Sequence, residues 1–148
     1  MTRAIAIIDT NVVVAGLITA QDTSPVARIL DGMLTAAFPY VVSEALLAEY
    51  RTVLARPGLR KIHGLAIAEV ETILTDIALH AIVLSPVPGP AAPDRGDQFL
   101  WDLLAARADL MLVTGDKRLL RDAVMQGRVL SPQEFLQAHD DLSDSRKP

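Results

Sequence analysis

Apolar residues fall in short unbroken runs and in helically spaced stripes, and the two patterns alternate along the chain. Residues 4–8 (AIAII) form a continuous apolar run stopped by Asp9, the pattern of a strand covered on both faces. Residues 11–18 predict a short helix. Ser24 followed by Pro25 supplies an N-cap and a proline at the first helical position, so the next helix runs to about Ala36. Residues 38–42 predict a second strand. Ser43 caps a helix over 44–55 that Pro57 and Gly58 end. Within 65–79 the apolar residues Ala66, Ile67, Val70, Ile73, Leu74 and Ile77 have helical spacing, and 80–84 predict a third strand.

Residues 85–96 hold four of the nine prolines and read as a stiff connection within one domain. Residues 97–108 predict a helix whose first residue, Asp97, suits the positive end of the helix dipole. Residues 110–114 predict a fourth strand, Gly115-Asp116 a turn, 117–125 a short helix, and Val129-Leu130 a last strand. Ser131-Pro132-Gln133-Glu134 has capping-box spacing and opens a final helix to about Gln137. Residues 1–138 then form one domain, and 139–148 a charged, polar, frayed tail. There is no internal repeat. Helices alternating with short apolar strands imply an α/β protein: a mainly parallel sheet of about five short strands with helices on both faces.

The length, 148 residues with 51% hydrophobic, suits one core. The net charge of −4 weighs against a broadly basic nucleic-acid coat but leaves room for a local basic stripe. The absence of cysteine excludes a disulfide framework, a cysteine zinc site, an iron–sulfur cluster and a cysteine nucleophile. Mean hydropathy is high at +0.31, yet no uncharged apolar run approaches the roughly 20 residues that span a bilayer. The N-terminal run is too short for a signal peptide. The expectation is a cytoplasmic protein with no membrane partner. Its surplus apolarity, on the helices over 46–54 and 65–79, predicts a homodimer.

In open α/β sheets, sites form at the carboxyl ends of strands. Asp9-Thr10-Asn11 follows the first strand, Ser43 the second and Thr114-Gly115-Asp116 the fourth, while the helix beginning at Asp97 leads into the fourth. These are mostly carboxylates, with no histidine beside them in the sequence to pair them. Carboxylates sharing a site must protonate or bind a cation, and hard oxygen donors suit magnesium or manganese. Helix phase puts Asp97 between Leu104 and Trp101, inside the apolar stripe, and turns Asp102 outward as a solvated charge. Glu49 lies at the edge of the Leu46/Tyr50/Val53 stripe, where phase does not separate it from Glu44.

Four segments together carry a family resemblance: Ile7-Ile8-Asp9-Thr10-Asn11-Val12, Ser43-Glu44-Ala45-Leu46-Leu47-Ala48-Glu49-Tyr50, Asp94-Arg95-Gly96-Asp97-Gln98-Phe99-Leu100 and Leu112-Val113-Thr114-Gly115-Asp116. Their order and setting resemble the PIN-domain ribonucleases, and among these the bacterial VapC-type toxins of toxin–antitoxin pairs, over residues 5–136. The resemblance implies a PIN-like three-layer fold. It places the family's acidic quartet on Asp9, Glu49, Asp97 and Asp116, as catalytic residues and metal ligands, and so selects Glu49 over Glu44. Asp94 matches a further acidic position of the subgroup, which often has a proline or an acid where Arg95-Gly96 stands here. Asn11 and Thr114 match polar positions flanking the metal site.

The expected function is a Mg2+- or Mn2+-dependent endoribonuclease that cleaves RNA with a metal-activated water, as the toxin partnered by a small antitoxin protein. Arg51, Arg56, Lys117 and Arg118 are the candidates for RNA phosphate contact. Aromatic content of 4% leaves little for base stacking. His63 and His80 have no partner at ligand spacing and read as structural; Trp101 reads as core. Two alternatives stand. A haloacid-dehalogenase-like phosphatase also places an aspartate after its first strand, but requires a second two residues later, where this chain has Asn11. A protein-binding PIN module would carry the carboxylates without using them.

Overall fold

The computed structural model describes residues 5–122, 124–125 and 127–144, the last five as backbone alone. Among the described residues, five strands form one all-parallel sheet in the order β3-β2-β1-β4-β5: β1 (Ile5–Ile8), β2 (Tyr40–Val42), β3 (Ile82–Val83), β4 (Leu110–Val113) and β5 (Val129–Leu130). Ala6, Ile7 and Ile8 are consecutive and wholly buried, which requires cover on both faces of the central strand. The helices supply it. They are α1 (Thr10–Ile18), α2 (Pro25–Leu34), α3 (Glu44–Leu54), α4 (Pro57–His63), α5 (Ile67–His80), α6 (Gln98–Leu104), α7 (Lys117–Leu120) and α8 (Pro132–Asp144). The α/β class and parallel five-stranded sheet read from the sequence are those observed.

Local chemistry sets the helix starts. Ser24 Oγ accepts from Ala27 N, and Ser43 Oγ from Leu46 N at 3.1 Å, so the residues leaving β2 are turned directly into α3. Ser131 and Glu134 form the reciprocal capping box that opens α8. A Cβ on Gly16 would stand 2.6 Å from Val26 O, so this glycine lets α1 lie directly on α2.

The structure departs from the sequence reading in several places. Pro57 does follow the end of α3, but it also starts α4, where its missing N–H costs nothing at the first helical position. Gly64, at φ 67°, ends that helix in the left-handed region. The third strand shrinks to Ile82–Val83, because α5 runs on through His80. The helix expected over 97–108 divides into a 3-10 turn (Arg95–Asp97) and α6. The helix expected over 117–125 ends at Leu120. The final helix runs on to Asp144, and the His139 ring packs edge-on to Phe38 and stacks on Phe135. The expected frayed tail over 139–148 therefore begins as helix, while 145–148 lie outside the described residues.

Asp102 corrects the phase argument. It is not a solvated charge: its Oδ1 accepts from Gly89 N at 2.9 Å and Gln98 Nε2 at 3.0 Å. With Gln98 bonded to Ala92 N and Pro90 O, it straps the proline-rich connection onto α6 and so fixes the approach to Asp94 and Asp97. Trp101 is fully buried, as expected, and its Nε1 donates to Asp122.

Candidate active site

Chain order reverses at β1: β2 and β3 extend the sheet to one side, and β4 returns to the other. A crevice opens outside the strand ends at such a switch point. Ile8 pairs with Val113 in register, and Asp9 N continues the ladder to Val113 O at 2.9 Å. The next residues along, Asp9 and Thr114, are thereby brought side by side.

Asp9 is 6% exposed and caps α1, with Oδ1 accepting from Thr10 N at 2.7 Å. Its Oδ2 accepts from the Thr114 hydroxyl at 2.8 Å and from Asn11 Nδ2 at 3.3 Å. Thr114 Oγ1 in turn accepts from Asn11 Nδ2 and from Asp116 N. Asn11 Oδ1 accepts from Gly115 N at 3.0 Å. One threonine and one asparagine therefore tie the β1 and β4 exits into a single rigid unit. Beneath it, the buried Tyr50 donates its hydroxyl to Ile8 O and pins α3 under Asp9, which sets where the adjacent Glu49 stands. Sequence reasoning placed Tyr50 only in the core stripe. The available signal was a phenol on a buried stripe, whose hydroxyl needs a partner.

A cleft of about 380 Å³ is lined by Asp9, Glu49, Asp97 and Asp116, together with Thr10 and Asn11. Val14, Ile18, Val53 and Arg56 continue its wall. The four acids arrive on four different segments: the exit of β1, α3, the start of α6 and the exit of β4. Glu44 is exposed and absent from this wall, whereas Glu49 is half-buried. Asp97 is the N-cap of α6, at φ −102° and ψ 2°, so the helical azimuth assigned to it does not apply; it is half-buried nonetheless. Asp94 is exposed, and its Oδ1 accepts from Gly96 N at 2.8 Å, shaping the turn that delivers Asp97.

The electrostatics divide the acids. Burial raises Asp9 from 3.8 to about 6, against the lowering effect of the Thr114 and Thr10 hydrogen bonds, with Asp97 and Asp116 adding repulsion. Asp97 is raised too, by burial first and then by Asp116, Asp94 and Glu49. Asp116 goes the other way, because hydrogen bonds from Arg118 favour its charged form. Arg118 bridges Asp116, at 3.1 Å, and Asp94, at 3.5 Å. Arg56 lies on the cleft wall, and Lys117, next to Asp116 in sequence, is exposed. Arg51 is turned elsewhere, in a paired contact with Glu71 at 2.9 and 3.1 Å. His63 is engaged by Leu54 O and Leu65 N, a structural role.

The donor set is one of hard oxygens, and the raised acids are those that a nearby cation would favour in ionised form. Thr10 Oγ1, on a residue lining the cleft, is buried without a hydrogen-bond partner. Among the described residues, however, no three acidic or histidine side chains are set to share one ion. The chemistry of the donors fits a divalent cation; their present arrangement is an open wall of acids with Asp116 held by Arg118. Among the described residues no helix is long and apolar enough to cross a membrane.

Residues 6–118 match the protein family described as PIN domain. No curated protein is similar enough to the chain to count as a match.

Proposed function

Because this chain belongs to the PIN-domain family, whose members are generally nucleases, we propose that it is a metal-dependent endoribonuclease acting as the toxin of a toxin–antitoxin pair. The observation that carries this reading is the meeting of Asp9, Glu49, Asp97 and Asp116 from four segments in one cleft. Magnesium or manganese would supply positive charge to these carboxylates, lower the pKa of the attacking water and offset charge on the phosphate. Asp9, Glu49, Asp97 and Asp116 would hold it, with Asp94 at the rim. The protein's own part is orientation. Thr114 and Asn11 fix Asp9 Oδ2, Tyr50 fixes the base of Glu49, and the Asp102 strap fixes the approach to Asp97. Arg56, Lys117 and Arg118 are the cations proposed to meet RNA phosphates, Arg118 only on leaving Asp116 and Asp94, and Arg51 is the weakest candidate because Glu71 occupies it. Asn11 spends its amide bracing Asp9 and Thr114, which favours this reading over a phosphatase needing a second acid there.

The deciding experiment is cleavage of single-stranded RNA in Mn2+ by wild-type protein and by Asp9→Asn, each expressed alone and freed of contaminating nuclease. Wild type cleaves, chelator stops it, and Asp9→Asn is inactive although folded; equal cleavage by both proteins sinks the mechanism. The partners belong to the same proposal: a small antitoxin protein covering the cleft, and a cytoplasmic homodimer. The exposed apolar residues Ile62, Ile67, Leu79 and Val83 support the dimer.

A further inference from the structure

Arg118 occupies an unusual place for an exposed side chain. Three of its donors hold the Asp116 carboxylate: the backbone N at 2.9 Å, Nε at 3.4 Å and Nη2 at 3.1 Å. Its remaining nitrogen, Nη1, reaches Asp94 Oδ2 at 3.5 Å. One guanidinium thus spans acids from two segments and also acts electrostatically on Asp97. Asp116 is thereby engaged by Arg118, and among the described residues no three acids are set to share one ion.

The side chain of Arg118 is 65% exposed, so these pairs are wet and exchange readily. A guanidinium also binds a phosphate through two parallel hydrogen bonds, a geometry that suits it better than a split grip on two separate acids. An RNA strand entering the cleft would bring such phosphates next to Asp116, which lines it.

Resting on the nuclease reading above, we propose that Arg118 is an exchangeable internal counter-ion: closed on Asp116 and Asp94 when RNA is absent, and drawn onto a substrate phosphate when RNA binds, which leaves the Asp116 carboxylate free for a divalent cation. RNA and cation then help one another to bind, and thermodynamic reciprocity makes the effect equal in both directions. The device also answers how a chain of net charge −4 receives a polyanion at its most acidic cleft. The site presents a cation first and its carboxylates second.

The test is calorimetric titration of Mn2+ into wild type, Arg118→Gln and Arg118→Lys, with and without a ten-nucleotide phosphorothioate RNA shown to be intact afterwards. For wild type, Mn2+ affinity rises about 5-fold or more when the RNA is present. Arg118→Gln binds Mn2+ more tightly than wild type without RNA and gains nothing further from it. It also binds the RNA more weakly in chelator. Arg118→Lys keeps the charge but not the fork, and shows reduced coupling. Coupling of wild-type size in Arg118→Gln, or no tightening of Mn2+ in that variant, overturns the exchange. Asp9→Asn separates the two claims. If it loses the Mn2+ that wild type binds while Arg118→Gln behaves as wild type, only the exchange falls. If wild type binds no Mn2+ at all, the nuclease reading falls with it.

Discussion

The Thr114 hydroxyl donates to Asp9 Oδ2 at 2.8 Å across 105 positions of sequence. Sheet register, not a local loop, makes this contact: Ile8 lies opposite Val113, so the residue after each strand meets the other. The same hydroxyl accepts from Asn11 and Asp116 N, which makes it the common node of the two strand exits. Thr114→Val keeps the shape and removes the node. We expect a loss of about 2 kcal/mol in urea unfolding, the usual cost of orphaning buried partners of a charged group, and a further rise in the Asp9 pKa, because the lost bond favoured its ionised form. Thr114→Ser should restore most of both.

Asp9 also sets a pH dependence. Its pKa moves from 3.8 to about 6, so the folded state holds this proton more tightly than the unfolded chain. Its contribution to stability is therefore complete below pH 3.8 and is lost as pH rises through about 6. Above that, the ionised carboxylate costs the metal-free fold up to ~3 kcal/mol. Asp9→Asn should accordingly be more stable than wild type by ~1–3 kcal/mol at pH 7.5 in chelator, with the advantage fading toward pH 4. A chemical-denaturation series over pH 4–8 reads this directly; a variant less stable at pH 7.5 would contradict it.

Much of this site was legible in the chain because strand ends advertise themselves. The run at 4–8 stops at Asp9, and the fourth strand stops at Thr114, so the polar residues at both exits could be named before any fold was known. Ser43 as a cap was equally legible, and its bond to Leu46 N is there. Phase failed where the backbone left the helix. The helical wheel gives Asp97 an azimuth that a 3-10 turn does not possess, and the residue faces the cleft for another reason, the turn shaped by Asp94. Asp102 looks solvated on the wheel because a wheel describes one helix only, while its partner Gly89 comes from the connection packed over it. Glu49 and Glu44 could not be parted by periodicity. What parts them in space is Tyr50, whose tether to Ile8 O depends on packing between α3 and β1.

That separation gives a clean pair of variants. Glu49→Gln removes a charge from the cleft wall, and Glu44→Gln removes one from the exposed first turn of α3. With the nuclease reading above, Glu49→Gln should lower RNA cleavage at least ~10-fold, a loss of about 1.4 kcal/mol of transition-state stabilisation. Glu44→Gln should stay within about 2-fold of wild type. Matching rates for the two variants would place Glu49 outside the reaction.

Asp97 and Asp116 should part company in the same way, although the sequence treats them alike as crowded acids. Asp97 sits among Asp116, Asp94 and Glu49, and both its burial and their charge raise its pKa. Neutralising it relieves repulsion, so Asp97→Asn should raise the melting temperature of the metal-free protein at pH 7.5 or leave it unchanged. Asp116 has a cation of its own. Three donors of Arg118 favour its ionised form and lower its pKa, so Asp116→Asn gives up an attraction together with a repulsion and should not gain. The difference between the two variants should shrink in 0.5 M salt, on the order of 4 Å of Debye length, because the Arg118 pair is exposed. Calorimetric melting of both proteins at low and high salt checks this; Asp116→Asn melting above Asp97→Asn at low salt would show that Arg118 does not hold Asp116 in solution.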